Sequence, residues 1–361
     1  MTEKETHNIR WNGEDYSRSR FISFLKMQLK QAGVKDWQKD IYVFALSWLD
    51  DNKDTFEVQT SGSTGKAKTI VLQRTDMIKS AEATGKALGI KKGDTALLCL
   101  PAKYIAGKMM IVRAFVLGLD LYISTPSVDC LKNISTPINF CALIPLQLQY
   151  ALDHGLYKEL NKIDMIIVGG APLPNAYIDQ LEALKAQVYA TYGMTETITH
   201  IALKSLNGKQ KSNSYQCLDL YKVAQDDRGC LIIKTAERQW VTNDLVHLSS
   251  PVKFDILGRI DFIINSGGLK INPQEIEREI SHLIQERFMI SYKEDTVLGQ
   301  RVVLLIEGNK DTLDEKEILK NIRQVLPSNK MPKDIIFVEE LFYTDNKKIA
   351  REKNRLAILH K

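Results

Sequence analysis

No apolar run in the 361-residue sequence approaches the ~20 residues that a bilayer-spanning helix needs. The opening stretch, Met1 to Arg10, is polar and has nothing like the apolar centre of a signal peptide, so the expected location is the cytoplasm. Cysteine is sparse and unpaired in pattern. Cys99, Cys130, Cys141, Cys217 and Cys230 form no C-x-x-C pair and have no histidine at ligand spacing, which argues against structural zinc. An odd count without an export signal fits a reducing compartment. Three of these residues lie in apolar surroundings (LLCLP, NFCAL, RGCLII), as buried inert thiols do. Charge of one sign is also lacking. With 49 Lys+Arg against 44 Asp+Glu the net charge is +5, and no basic run resembles a nucleic-acid tail. No nucleic-acid partner and no membrane insertion are therefore expected, and the mild positive balance suits a small anionic substrate. Neither internal repeats nor low-complexity tracts occur.

What is present is ordinary globular material. Hydrophobic residues make up 44% and charged residues 26%, enough for a sizeable core and for roughly two to three domains. Arg20 to Gln31 carries Phe21, Phe24, Leu25 and Leu29 at helical spacing, and Ile41 to Leu49 is apolar all round, as a buried helix would be. From Thr69 onward, apolar runs ending in Pro or Gly (TALLCLP, LYIST, FCALIP, DMIIVGG, QVYATYG) alternate with amphipathic stretches such as AEATGKALGI and PNAYIDQLEALKA. Strands alternating with helices predict an α/β architecture with largely parallel sheets, in which ligands collect beyond the carboxyl ends of strands. Leu231–Ile233, Val246–Leu248 and Asp261–Asn265 read as shorter strands of a second sheet. INPQEIEREISHLIQ and DEKEILKNIRQVL read as helices, and RVVLLIEG and IIFVEEL as strands, of a small C-terminal α+β domain. The expected division is residues 1–258 and 259–361.

Four segments carry chemistry. Thr60-Ser61-Gly62-Ser63-Thr64-Gly65-Lys66-Ala67-Lys68 combines glycines, hydroxyls and lysines, the composition of a phosphate-binding loop and also of a plain Ser/Gly turn. A Walker P-loop is excluded by the glycine spacing and by the strand expected after the loop. Thr191-Tyr192-Gly193-Met194-Thr195-Glu196 offers a stacking face, a hydroxyl and a hard oxygen ligand for Mg²⁺. In Thr242-Asn243-Asp244 and Gly258-Arg259-Ile260-Asp261, continuing through Ser266-Gly267-Gly268-Leu269-Lys270, an aspartate can accept the hydroxyls of a ribose, and Arg259 and Lys270 can face anions. Near the end, Asp345-Asn346-Lys347-Lys348-Ile349-Ala350-Arg351 is a basic cluster that, seen alone, reads as a solvated face.

In this order the four segments resemble the adenylate-forming superfamily of acyl-CoA synthetases, adenylation domains and luciferases, over about Thr60 to Arg351. The resemblance implies a large N-terminal α/β domain, shortened ahead of the phosphate loop, and a small mobile C-terminal α+β domain hinged near Asp261. It implies ATP and CoA as substrates with Mg²⁺, and Lys348, Glu196 and Thr195 as catalytic, Glu196 holding the metal. The nucleotide residues would be Thr60, Ser61, Gly62, Ser63, Thr64, Gly65, Lys66 and Lys68 with Gly170, Ala171, Pro172, Thr191, Tyr192, Gly193, Met194, Asp244 and Arg259. Ser266, Gly267, Gly268 and Lys270 would face the thiol. The sequence departs from the family's usual pattern at Ala67, at Asn243 and at Asp345 to Lys347, none of which removes a charged group that the chemistry needs.

LPAKYIAG, ALIPLQLQYAL and IIVGGAPLP are most similar to the o-succinylbenzoate–CoA ligases of menaquinone synthesis. That resemblance implies an acid pocket around Tyr104, Gln147, Gly169, Thr195 and His200. Two other readings stand beside it. One is another aryl- or acyl-CoA ligase or a carrier-protein-loading enzyme. The other is a nucleotide-binding protein that has lost its chemistry. The sequence leaves a homo-oligomer open.

Overall fold

The computed structural model describes residues 8–59, 69–309, 313–344 and 349–358. The chain divides into two compact units, Met1–Tyr221 and Lys222–Lys361.

The first unit is an α/β structure. Its central strands run parallel in the order Gln187–Gly193, Ile163–Val168, Ile138–Leu143, Thr95–Leu98, Asp120–Ile123 and Ile9–Trp11. The antiparallel strands His200–Ser205 and Tyr215–Cys217 extend one side, and Glu14–Tyr16 the other. The apolar runs became strands because parallel strands are covered on both faces and so lose the alternation of a half-exposed strand. Leu97, Cys141, Ile166 and Val188 meet in one such core, joined by Leu148 and Leu181 from the segments that follow the strands. All five cysteines are buried and free, as their surroundings suggest.

Helices occupy Arg18–Lys30, Asp36–Trp48, Arg74–Leu88, Ile105–Leu117 and Pro145–Asp153. The first is capped by the Ser17 hydroxyl, which accepts from the Arg20 amide, and it buries Phe21 and Leu25 as its spacing predicts. Two findings differ from the sequence reading. Asn175–Ile178 is a single helical turn running into a 3₁₀ turn, Asp179–Ala183, where a full amphipathic helix was expected. The three-residue strands Ile9–Trp11 and Glu14–Tyr16 were not anticipated at all. Strands Thr55–Gln59 and Thr69–Gln73 pair antiparallel with Gln59 opposite Thr69. A strand does therefore follow the Ser/Gly-rich segment, whose residues 60–68 lie outside the described residues.

The second unit holds an antiparallel meander: Lys222–Gln225, Cys230–Lys234, Gln239–Ser250 and Lys253–Arg259. A second sheet contains Leu269–Ile271, Ile264–Ser266, Gly299–Glu307 and Phe288–Asp295, with Asp334–Val338 parallel to Gly299–Glu307. Strand Gly299–Glu307 is buried on both faces: Val302, Leu304 and Ile306 pack against helices Pro273–Ile280 and Glu315–Val325, while Val303 and Leu305 meet Leu341 and Ile358. Asp261 belongs to a 3₁₀ turn, Ile260–Phe262, so the strand expected over Asp261–Asn265 is confined to Ile264–Ser266.

The N-terminal aromatic cluster is a test of this packing. Phe21 is fully buried, with ring centroids of Trp11, Tyr16, Phe24 and Phe115 between 5.1 and 6.1 Å from its own. Phe21→Ala should destabilise the first unit by about 3–5 kcal/mol, read as a lowered urea midpoint. Met27→Ala, at an exposed position of the same helix, should change stability by less than about 0.5 kcal/mol.

Candidate active site

In the first unit the site residues gather where strands end. Strand Ile163–Val168 ends at Gly169, whose amide donates to the Leu143 carbonyl at 3.1 Å, and Gly170 follows at φ +93° with Ala171 and Pro172 beyond it. The neighbouring strand brings Thr191 alongside, its hydroxyl donating to the Val168 carbonyl at 3.2 Å. A Cβ at Gly169 would lie 2.4 Å from Thr191 Oγ1, so only glycine allows the two strand ends this approach. Gly193 faces His200 across the antiparallel pair, and a Cβ there would lie 2.3 Å from the Thr199 carbonyl oxygen. Tyr192 meets Tyr215 edge to face with centroids 6.0 Å apart.

After Met194 the chain makes a 3₁₀ turn, Thr195–Thr197. The Thr197 hydroxyl accepts from the Met194 amide at 3.1 Å and lies 3.0 Å from the Met194 carbonyl and 2.9 Å from the Thr199 carbonyl. Ile198 follows at φ +70°, a conformation that costs a β-branched residue of order 1–3 kcal/mol. The Thr199 amide closes this turn on the Thr197 carbonyl at 2.8 Å. The turn turns Glu196 outward into an exposed position. Among the described residues there is no cluster of three metal-ligating side chains. A lone outward carboxylate still suits Mg²⁺, which is usually held by one or two carboxylates plus substrate phosphates.

Of the five residues assigned to an acid pocket, Thr195 lies in the 3₁₀ turn just described, and the other four fare differently. His200 is buried, its Nε2 3.3 Å from the Thr84 hydroxyl. That hydroxyl donates to the Ser80 carbonyl at 2.9 Å, so Nε2 carries the proton and donates to Thr84. Burial, with Arg113 as a second cause, pushes the imidazole well below its ordinary pKa and leaves it neutral at pH 7. Gln147 is buried too, but its amide is occupied by backbone: Nε2 donates to the Cys99 and Ser127 carbonyls and Oε1 accepts from the Ile144 amide. Tyr104 is exposed at the start of helix Ile105–Leu117, and Gly169 lies at the strand end described above.

Arg113 is a buried charge that sequence reasoning did not single out. It sits in the apolar helix Ile105–Leu117, is 2% exposed, and makes no ion pair with any described carboxylate. Its guanidinium lies 6.0 Å from the Phe140 ring centroid, one nitrogen reaches the Met110 sulfur at 3.7 Å, and Nε has no hydrogen-bond partner among the described residues. Burial pushes its pKa down to about 10, so it remains a cation at neutral pH. The available signal was a single arginine inside IAGKMMIVRAFVL, a pattern that reads as core.

In the second unit, register sets the geometry. Asp244 and Arg259 are direct partners across strands Gln239–Ser250 and Lys253–Arg259, and Arg259 Nη1 lies 3.3 Å from Asp244 Oδ1. Arg259 also holds Asp261, with Nη2 2.6 Å from Oδ2, while the Asn243 amide donates to the other Asp261 oxygen at 2.8 Å. Asp244, Arg259 and Asp261 are thus brought into one network. Ser266 and Leu269 pair across a two-residue turn in which Gly267 and Gly268 both have positive φ (58° and 81°), the geometry that Gly-Gly favours in a hairpin. Lys270 is exposed beside it. Lys348 lies outside the described residues, as do Thr60, Ser61, Gly62, Ser63, Thr64, Gly65, Lys66 and Lys68; Tyr343 and Ile349 pair on either side of the lysine.

A parallel α/β sheet with glycine-bounded loops at its strand ends is an architecture in which ligands bind beyond the carboxyl ends of the strands. The chain belongs to the AMP-binding enzyme family, whose model matches residues 32–220. It is similar to the acyl-CoA synthetase (AMP-forming)/AMP-acid ligase II-like protein of Dyadobacter fermentans, with 34% identity, a TM-score of 0.61, and 92% of this chain and 97% of that one covered. A 2-succinylbenzoate–CoA ligase of Staphylococcus epidermidis is 26% identical over 81% of this chain and 68% of its own length. The o-succinylbenzoate coenzyme A synthetase of Bacillus subtilis, solved with ATP and magnesium ion, shares the fold at a TM-score of 0.68 and 23% identity, with 82% of this chain and 69% of that one covered.

The buried histidine gives a pH test. A depressed folded pKa means that the unfolded chain binds the extra proton first, so stability falls as pH drops below about 6.5 toward the folded value. His200→Gln should reduce the loss of stability between pH 7.5 and 5.5, measured by urea unfolding across that range. An unchanged slope would show that His200 titrates freely.

Proposed function

We propose that the chain is an ATP-dependent acid–CoA ligase working through an acyl-adenylate, and that its acid is o-succinylbenzoate or a close aromatic dicarboxylate. In the first half-reaction a carboxylate oxygen attacks the α-phosphorus and the bond to pyrophosphate breaks, leaving the acyl group on AMP. In the second, a thiolate attacks the acyl carbon and AMP departs. A carboxylate alone is a poor electrophile, and the mixed anhydride supplies it with a good leaving group. Negative charge accumulates in the first step and calls for preorganised cations.

Within this reading Lys348 faces the α-phosphate and carboxylate, and Ser63, Thr64 and Lys68 the β- and γ-phosphates. Asp244 and Arg259 take the ribose, and Gly170, Ala171 and Tyr192 the adenine. Glu196 would hold Mg²⁺, which supplies charge neutralisation at the phosphates. Asp261 serves as the hinge between residues 1–258 and 259–361, with the Ser266–Gly268 turn presented to CoA in the second half-reaction. The protein works in the cytoplasm of its cell. The family and the named relatives support the reaction class.

The single observation that carries the substrate is Arg113. A buried guanidinium with an orphaned Nε and no carboxylate partner among the described residues is costly unless an anion arrives to meet it. A monocarboxylic acid consumes its one charge at the phosphorus and has nothing left for such a cation. An aromatic dicarboxylate has a second carboxylate to offer, and the neighbouring Phe140 and Met110 suit its ring. Gln147 is left out of this pocket because its amide is already spent on backbone.

Purified protein with ATP, Mg²⁺ and CoA should convert o-succinylbenzoate to its CoA thioester far faster than benzoate or a long-chain fatty acid. Preference for a monocarboxylic acid would remove the substrate assignment and leave adenylation standing; no reaction with any acid would favour a protein that only binds nucleotide. Arg113→Met should raise the KM for the dicarboxylate by about 30-fold or more, the size expected for stripping one partner from a buried charge pair, with little change in the KM for ATP. Lys348→Ala should abolish acid-driven ATP–pyrophosphate exchange and spare thiolysis of supplied acyl-AMP.

A further inference from the structure

Glu277 and Arg351 stand 74 residues apart in sequence and form a salt bridge in the second unit, each largely withdrawn from solvent. Arg351 opens helix Arg351–Ala357, directly after Ala350. Its Nη2 donates to Glu277 Oε2 and its Nη1 to the Ile290 carbonyl at 3.2 Å. The other Glu277 oxygen accepts from the Ile290 amide at 2.7 Å, so the pair's polar contacts among the described residues are made inside the unit. Burial raises the Glu277 carboxyl, while Arg351 and the Ile290 amide oppose the rise. A buried ion pair of this kind is weak as a source of stability, since apolar residues of like volume often serve as well. Its geometry suggests another use.

The Arg351 guanidinium lies over the ring of Phe262 at 5.1 Å, and Arg259 lies over the same ring at 5.9 Å. Phe262 therefore serves two cations: one fixed by Glu277, the other paired with Asp244 and Asp261. The helix that carries Glu277, Pro273–Ile280, makes a second connection. Gln274, one turn ahead on the same face, accepts from the backbone amide of Arg259 at 2.9 Å. Asn272 caps that helix and donates to the Leu257 carbonyl, and Arg278 donates to the carbonyls of Ile256 and Leu257. One short helix thus grips the strand ending in Arg259 by its backbone and, through Arg351 and Phe262, bears on the Arg259 side chain.

We propose that Glu277 is a positioning residue for nucleotide binding: by holding Arg351 against Phe262 it fixes the Arg259 guanidinium in register with Asp244. The inference rests on the reading of Asp244 and Arg259 as ribose-binding residues. Arg259 divides its donors between two carboxylates, and without Arg351 in place the Phe262 ring is free to turn and the guanidinium to swing toward Asp261. Asp244 would then present a different charge and geometry to a ribose.

The test measures AMP binding by calorimetry, with thermal unfolding of the same samples, on the full chain. Glu277→Gln keeps the volume of the side chain and removes its charge. It should weaken AMP binding by about tenfold, within the range that remote positioning contacts impose, and Glu277→Asp should recover part of that loss. The double variant Glu277→Gln with Arg351→Met removes both charges and guards against a folding defect, because deleting a whole buried pair leaves no orphaned charge. It should regain much of the thermal stability but not the AMP affinity, since Phe262 still lacks its second cation. AMP affinity within twofold of wild type in both Gln variants would make the pair purely structural and overturn the inference, leaving the proposed ligase function intact. Failure of the wild-type chain to bind AMP would overturn both.

Discussion

The first unit's site depends on how closely neighbouring strand ends approach one another. Strands Ile163–Val168 and Gln187–Gly193 finish side by side, and the space between Gly169 and Thr191 Oγ1 is too small for a methyl group. Gly193 meets the Thr199 carbonyl under the same restriction. Because these contacts fix the backbone, the segments beyond them leave the sheet with their directions already set. Gly170 to Pro172 depart from one strand and Met194 to Thr197 from the next. The strained Ile198 turn is tolerated because hydrogen bonds of Thr197 and Thr199 hold both sides of it. Glu196 owes its outward position to that turn.

Much of this was readable from the sequence because its causes are local. The parallel strands announced themselves as uninterrupted apolar runs, and helix Pro273–Ile280 by the amphipathic spacing of INPQEIEREISHLIQ. The α/β class and the order of the motifs followed from such signals. The unread parts depend on distant partners. Ile9–Trp11 is too short to show a period and becomes a strand through its pairing with Asp120–Ile123 on one side and Glu14–Tyr16 on the other. Gln147 looked available for a ligand, and only the fold brings the Cys99 and Ser127 carbonyls to it. Asp261 looked like part of a strand, and its 3₁₀ turn accompanies bonds to Arg259 and Asn243. The bridge from Glu277 to Arg351 spans two segments that no local pattern connects.

Two basic side chains near one another in a low-dielectric interior pose an electrostatic problem, and the first unit resolves it unequally. Arg113 cannot readily lose its proton, so its charge stays even at a pKa of about 10. His200 can, and burial beside that guanidinium keeps it neutral. The proposed acid pocket would therefore present one cation at neutral pH. An anion docked at Arg113 would cancel the repulsion that His200 feels and draw the imidazole's pKa upward, so binding of the acid and protonation of His200 are linked. The Thr84 hydroxyl, already donating to the Ser80 carbonyl, accepts from Nε2 in either protonation state. Proton uptake at His200 then leaves that bond in place and falls on Nδ1. In the proposed pocket, a single fixed cation beside a histidine that would gain charge only when an anion arrives would favour a dianionic acid without holding two uncompensated charges in the core.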